Sequence, residues 1–162
     1  MNNQNGRGKL IVFEGTDGTG KTTQRDLLGR YLQDKGFPVV VTKEPTEGPY
    51  GQRIRDLYKN RNQYSREEEL ELFIADRRQH VRDLLQPCLL GGKVILCDRY
   101  YFSTAAYQGA LGLNPEMILA LNNFAPEPDL VLLFQAGLDI SIQRITAGRG
   151  EALNNFEQRE FL

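Results

Sequence analysis

The stretch Phe13–Thr23, "FEGTDGTGKTT", decides the fold, because it fits the phosphate-binding pattern G-x-x-x-x-G-K-[ST] from Gly15 to Thr22. In such a loop the glycines turn backbone N–H groups inward, and the start of the next helix adds positive partial charge. Lys21 would reach the outer phosphates of a nucleoside triphosphate, and Thr22 would offer its hydroxyl to Mg²⁺. The candidate ATP-binding residues of this loop are Gly15, Thr16, Asp17, Gly18, Thr19, Gly20, Lys21, Thr22 and Thr23.

Outside this loop, short apolar runs alternate with helical patterns, which predicts parallel strands joined by crossover helices. Each run is apolar throughout except for Thr42 at the end of the second, as in strands that helices cover on both faces. The predicted strands are Leu10–Phe13, Val39–Thr42, Val94–Cys97 and Leu130–Phe134. The fold class is therefore α/β, with a doubly wound parallel sheet flanked by helices.

Helix signals divide the segments between these strands. The first helix should run from the phosphate loop to Lys35. A second helix should begin at Ser65, which forms a capping box with Glu68, and a third at Pro115, a residue type that suits the first helical position. The residues predicted to form the inner stripe of the first helix are Leu27, Leu28, Tyr31 and Leu32.

Bulk properties favour one cytoplasmic domain. The 162 residues carry a net charge of -1, which argues against broad attraction to nucleic acid or a membrane surface. The N-terminus is polar, unlike a signal peptide, and no apolar run approaches a membrane span. Cys88 and Cys97 lack metal-ligand spacing, and we expect two reduced thiols.

Charged residues near strand ends predict the rest of the site. "KVILCD" ends at Asp98, where a carboxylate commonly holds Mg²⁺, and Arg99 follows it at the ligand-binding edge of the sheet. Arg77 interrupts the apolar stripe of the second helix, beside Phe73. Since arginine is rarely buried without a partner, Arg77 is either a structural ion-pair residue or an anion-binding residue of a cleft.

The sequence offers no good general base for an acceptor hydroxyl. His80 is the only histidine, and we expect it on the surface. A phosphate monoester is already largely ionised at neutral pH, so a kinase acting on one needs positioning and charge screening rather than proton abstraction. The pattern therefore favours a nucleoside monophosphate as acceptor.

With these motifs, the chain from Lys9 onward resembles the thymidylate kinases (dTMP kinases). The resemblance is carried by "FEGTDGTGKTTQ", "TKEP", "GQRIR", "LFIADRRQH", "PDLVLLF" and, most specifically, "DRYYFSTAAYQG". It implies Mg²⁺-dependent transfer of the ATP γ-phosphoryl group to dTMP, and a homodimer. It also implies the strand order 2-3-1-4, with a fifth strand and the family's last helix missing from this C-terminally incomplete domain of residues 1–162.

The resemblance assigns roles residue by residue. Asp17 would interact with the sugar 3′-hydroxyl, Phe73 would stack on thymine, and Arg77 would reach toward the base and phosphate. Tyr107 would crowd the 2′ position, although Tyr107 and Phe73 alone could equally be core aromatics. The remaining implied substrate residues are Arg55 and Arg99, which would hold the acceptor phosphate, Thr104 and Gln108 at the base edge, and Glu44.

The implied catalytic residues are Lys21, Arg99, Asp17 and Arg149. Some family members carry a charge-stabilising arginine at the position of Gly18, so here that charge should come from a mobile lid at about 144–155, "RITAGRGEALNN". Arg149 is the best candidate and Arg144 the second. Two alternatives stay open: a related nucleoside or nucleotide kinase, and a nucleotide-binding fragment without turnover.

Overall fold

The computed structural model describes residues 6–59 and 64–149 of the chain. Its strands form one parallel sheet in the order β2-β3-β1-β4, which confirms the predicted order. The strands are β1 (Lys9–Glu14), β2 (Val39–Lys43), β3 (Val94–Asp98) and β4 (Leu130–Leu133). The helices are α1 (Lys21–Asp34), α2 (Pro49–Lys59), α3 (Arg66–His80), α4 (Gln86–Leu90), α5 (Tyr101–Ala110), α6 (Pro115–Leu121) and α7 (Leu138–Arg149).

The two central strands form the core. In β1 and β3 the side chains of Leu10, Val12, Ile95 and Cys97 are buried and pack against the π-helical segment Val81–Leu85, which follows α3, and against α4. The prediction that all strands are covered on both faces is wrong for the outer strands of this sheet: β4 leaves Leu133 67% exposed. An edge strand has a neighbour on one side only, so an apolar run there need not be buried.

The helix boundaries follow the predicted signals. Helix α1 ends at Asp34, next to the predicted Lys35. The Ser65 hydroxyl accepts from the backbone N–H of Glu68, and the Glu68 carboxylate accepts from the Ser65 N–H, so the capping box is present. Asn114 caps the helix that begins at Pro115.

The predicted inner stripe of α1 is partly wrong, because Leu27 and Tyr31 are exposed. The buried contact is made through Gly29, where an added Cβ would lie 3.3 Å from Val41 Cγ2 and 3.5 Å from Leu96 Cδ1. Helix α1 therefore approaches the sheet along its smallest residue, with Leu28 and Leu32 half-buried beside it. In the described part of the chain, no helix has the length and apolar character needed to cross a membrane.

Candidate functional site

The phosphate loop lies between β1 and α1, as the motif predicts. Lys21 opens α1, is only 5% exposed, and its Nζ donates to the carbonyl oxygen of Thr16 at 2.7 Å. Its Nζ also lies 3.8 Å from Asp17 Oδ1. Burial, and then the nearby charge of Arg99, lowers the pKa of Lys21 to about 8. The loop therefore holds a lysine whose protonated form would be stabilised by a bound phosphate group.

Helix α7 packs directly against this loop. Gly18 has φ +76°, and a Cβ at this position would collide with the backbone carbonyl oxygen of Ser141. Arg144 also contacts the loop, because its Nη1 donates to the Gly18 carbonyl at 3.2 Å. The start of α7 thus occupies the space that a side chain at position 18 would need, which accounts physically for glycine there.

Thr22 and Asp98 come together, although 76 positions separate them in sequence. The Thr22 hydroxyl donates to Asp98 Oδ2 at 2.6 Å, and Arg25 Nη1 lies 3.7 Å from the same carboxylate oxygen. A hydroxyl and a carboxylate are the oxygen donors that Mg²⁺ prefers, with phosphates and water as its other ligands. Among the described residues no group of three or more His, Cys, Asp or Glu side chains could hold a metal ion.

A cavity of about 200 Å³ opens beside the phosphate loop. Asp17 belongs to both the loop and the cavity wall. The lining residues are Asp17, Glu44, Pro45, Tyr58, Phe73, Arg77, Arg99, Tyr100, Ser103, Thr104, Tyr107 and Gln108. Of the substrate residues predicted from sequence, all except Arg55 lie in this wall.

Arg99 connects the loop to the cavity. Its Nη2 donates to Asp17 Oδ1 at 2.7 Å, its Nη1 donates to Ser103 Oγ at 2.9 Å, and its guanidinium lies 5.3 Å from the ring centroid of Tyr107. Its backbone has φ +68°, a left-handed conformation that is uncommon for a residue with a side chain. Such a conformation persists only where neighbouring contacts enforce it.

Glu14 supplies those contacts. This buried carboxylate accepts from the backbone N–H groups of Tyr100 and Ser103 at 2.9 and 3.2 Å, and from the Ser103 hydroxyl at 2.6 Å. The side chain of Tyr100 does not cap helix α5, so Glu14 on strand β1 accepts hydrogen bonds from backbone N–H groups at the start of this helix. Burial raises the pKa of Glu14 despite these hydrogen bonds.

Arg77 is 1% exposed and pairs with Glu44, which directly follows β2. Its Nε donates to Glu44 Oε2 at 2.8 Å, its Nη1 to Asn122 Oδ1 at 2.6 Å, and its Nη2 to Thr104 Oγ1 at 3.0 Å. The ion-pair interpretation of Arg77 is therefore confirmed. Since the same residue lines the cavity, the ligand interpretation is compatible with it and stays a prediction.

His80 is buried, so the prediction of a surface position is wrong. Its ring nitrogens lie 2.9 Å from Glu44 Oε1 and 2.8 Å from Thr42 Oγ1. The signal was available, because a spacing of three from Arg77 puts His80 on the same face of α3. His80 thus supports the Glu44–Arg77 pair from behind and does not line the cavity.

The family model for thymidylate kinase matches residues 13–162 of this chain. The chain belongs to the thymidylate kinase family. A thymidylate kinase of Desulfotalea psychrophila is 58% identical over 158 residues, which cover 98% of this chain and 78% of the relative. A thymidylate kinase of Akkermansia muciniphila is 47% identical over 146 residues, covering 90% of this chain and 70% of the relative.

A solved structure of a thymidylate kinase also has a fold similar to that of this chain. The crystal structure of thymidylate kinase from Ehrlichia chaffeensis aligns with a TM-score of 0.72 at 34% sequence identity. The alignment covers 89% of this chain and 80% of that one. The predicted α/β fold and the family resemblance are therefore confirmed.

Arg55 is the one predicted substrate-binding residue that does not line the cavity. Its Nη2 donates to the Thr46 carbonyl at 2.8 Å and to Glu47 Oε2 at 3.0 Å. Asp76 on α3 fixes the same loop, accepting from the N–H of Thr46 at 2.8 Å and from its hydroxyl at 2.6 Å. Thr46 is thus held by a buried carboxylate.

Tyr58 is a cavity residue that no sequence motif predicted. It lies on α2, which was not predicted as a helix, although Pro49 at its start was a usable signal. Burial, followed by the charge on Glu69, raises the pKa of Tyr58 and keeps the phenol neutral at physiological pH. The cavity wall therefore includes a neutral hydroxyl from α2 together with the α5 residues.

The predicted lid covers two parts of the chain. Residues 144–149 belong to α7, whereas 150–155 lie outside the described residues. Arg144 contacts Gly18 as described above, and the backbone of Arg149 ends the helix. The catalytic role of Arg149 stays a prediction.

Proposed function

We propose that this chain transfers the γ-phosphoryl group of ATP to dTMP, producing dTDP and ADP. The observation that supports this function best is the meeting of two sites at Asp17, which lies in the phosphate loop and in the wall of the cavity. A donor on Lys21 and an acceptor in the cavity would face each other there. Family membership supplies the reaction class, a phosphotransferase.

The cavity residues suit a nucleoside monophosphate. Phe73 and Tyr107 offer aromatic faces, while Arg77 and Arg99 offer guanidinium groups that match phosphate and carbonyl oxygens. Their charges are fixed in place by Glu44 and Asp17, so little reorganisation is needed when the acceptor binds. The arrangement favours positioning and charge stabilisation as the main contributions to catalysis.

No general base is required in this scheme. The acceptor phosphate is largely ionised at neutral pH and attacks without losing a proton to the protein. His80 agrees with this scheme, because its ring is occupied by Glu44 and Thr42. Glu14 has a raised pKa, but we do not assign it the role of a base, because its oxygens are buried and accept hydrogen bonds from the start of α5.

Thr22 and Asp98 are the residues that would hold Mg²⁺, Asp98 directly or through water. When bound, the ion would screen the negative charges of the donor phosphates. Lys21 and Arg99 add positive charge from the protein on the same side of the sheet. Arg149, and second Arg144, are proposed to complete this charge at the transferred group.

We further infer a cytoplasmic homodimer. Cys97 is fully buried and Cys88 is half-buried, and both are free thiols, as suits a reducing compartment. The dimer is inferred from the family alone. Light scattering after size-exclusion chromatography tests it, and a monomer at micromolar concentration would contradict it.

A coupled assay of ADP release tests the reaction. Purified protein with ATP and Mg²⁺ is given dTMP, UMP, dCMP, AMP or GMP, and a reaction without acceptor measures background hydrolysis. We expect dTMP to give the highest kcat/KM and Lys21→Met to abolish turnover. Lys35→Met, a matched change at an exposed lysine after α1, should leave it intact. Preference for another acceptor would indicate a related nucleotide kinase, and ATP binding without turnover would indicate a binding module.

A further inference from the structure

Gln108 and Glu69 form a buried pair at the wall of the cavity. Gln108 lies on α5 with 0% exposure, and its Nε2 donates to Oε1 of Glu69 on α3 at 2.9 Å. Glu69 is itself 2% exposed. Within the described part of the chain, the other amide atom, Gln108 Oε1, is buried and makes no hydrogen bond. A buried acceptor of this kind is costly unless a ligand satisfies it.

The carboxylate determines which way the amide faces. An ionised glutamate can only accept hydrogen bonds, so the amide must turn its NH₂ group toward Glu69. The opposite orientation would set a carbonyl oxygen against a carboxylate oxygen. The two helices cannot easily separate to relieve such a clash, because Leu70, Ala105 and Ile118 pack together as a buried cluster from α3, α5 and α6.

This orientation gives the cavity a defined hydrogen-bonding pattern. Gln108 and Arg77 both line the cavity, and Gln108 Oε1 is an acceptor without a hydrogen bond, whereas the Arg77 guanidinium carries donors only. The edge of thymine or uracil offers the complement, an N3–H donor flanked by carbonyl acceptors. Cytosine offers the reverse at these positions, an N3 acceptor beside an amino donor, and would leave Gln108 Oε1 facing another acceptor.

We propose that Glu69 is a specificity-determining positioning residue, which pins Gln108 so that its Oε1 accepts from a pyrimidine N3–H. The proposal rests on the proposed function, because it takes the nucleobase to occupy this cavity. Glu69 need not touch the base. Its effect is to remove the alternative amide orientation in which Gln108 would donate to cytosine N3.

The test is Glu69→Gln, which keeps the shape of the side chain but allows it to donate or accept. Gln108 can then turn over, so the preference for dTMP over dCMP in kcat/KM should fall on the order of 10- to 100-fold. Glu69→Asp keeps an acceptor-only group and should keep the preference. Glu71→Gln makes the same charge change at an exposed position of α3 and should also change nothing.

The outcomes separate this inference from the proposed function. An unchanged dTMP-to-dCMP ratio in a folded Glu69→Gln protein would overturn the role of Glu69, as would an equal loss in Glu71→Gln. Binding of both nucleotides without ATP, measured by calorimetry, decides the same question even if wild-type turnover on dTMP fails. That failure would overturn the proposed function alone.

A measurement on the wild-type protein tests the same proposal even if the Glu69→Gln variant does not fold. The ligand N3-methyl-dTMP lacks the N3–H but is otherwise close to dTMP. We expect its binding to be at least about 10-fold weaker than that of dTMP. Equal binding of the two nucleotides would contradict the proposed acceptor at Gln108 Oε1 and, with it, the role of Glu69.

Discussion

Replacing Arg77 with methionine tests whether its ion pair stabilises the fold around the cavity. Methionine keeps much of the aliphatic length of arginine and removes the guanidinium. The variant would leave Glu44, which is 6% exposed, without the charge that lies 2.7 Å away in the native protein. Asn122 Oδ1 and Thr104 Oγ1 would each lose a donor as well.

The expected cost follows from burial. Removing one member of a buried ion pair costs about 3–5 kcal/mol, since the remaining charge stays desolvated. We therefore expect Arg77→Met to lower the free energy of unfolding by roughly 4 kcal/mol. Against a total of about 5–15 kcal/mol for a domain, the variant should fold but with a much lower denaturation midpoint. Adding Glu44→Gln should recover part of the loss, because it removes the orphaned charge.

Urea denaturation followed by circular dichroism measures these differences. Arg78→Met is the matched control: Arg78 is exposed, and its guanidinium lies 4.1 Å from the ring centroid of Phe124. An exposed contact of this kind is worth about 0.5–1 kcal/mol. A loss below ~1 kcal/mol for Arg77→Met, or equal losses for Arg77→Met and Arg78→Met, would refute the reasoning.

Three further predictions concern the donor site. Because the pKa of Lys21 is about 8, ATP binding above that pH should require Lys21 to take up a proton. The affinity for ATP should then fall by up to ~10-fold per pH unit. Calorimetry in buffers of different ionisation enthalpy would detect this proton uptake. A flat affinity between pH 7.5 and 9.5 (roughly the window around that pKa) would count against it. Asp98→Asn should raise the Mg²⁺ concentration for half-maximal turnover by at least ~10-fold, and an unchanged Mg²⁺ titration would exclude Asp98 from the metal site. Arg149→Ala should reduce kcat by about 10³-fold with little change in the KM for dTMP, whereas near-normal turnover would remove Arg149 from the mechanism.

The phosphate loop and the helix starts could be predicted from local signals, whereas the strand order and most of the cavity residues were implied by the family resemblance. A glycine-rich motif between a strand and a helix carries its own geometry, and the capping box at Ser65 specifies a helix start within four residues. Arg77 was recognised as a site candidate because a charge in an apolar stripe demands a partner.

Other features depend on contacts that are distant in sequence. Helix α5 contains three aromatic residues and the β-branched Thr104, and the carboxylate that satisfies its first N–H groups, Glu14, is 86 positions from Tyr100, so no local pattern marked its start. The face of α1 that meets the sheet is centred on Gly29, a residue that hydrophobic periodicity does not count. Asp76 likewise could not be assigned a role from sequence, because its partner Thr46 lies in the β2–α2 loop, 30 positions away.

The position of Glu14 has a consequence for engineering this enzyme. Glu14 immediately precedes the first glycine of the phosphate loop, and its carboxylate holds the backbone that sets the conformation of Arg99. Because side chains alternate along a strand, an insertion or deletion in β1 would turn Glu14 out of the core and displace the loop at once. The phosphate loop and the start of α5 thus depend on the same carboxylate, so we expect a loop grafted from another kinase to need the matching start of α5.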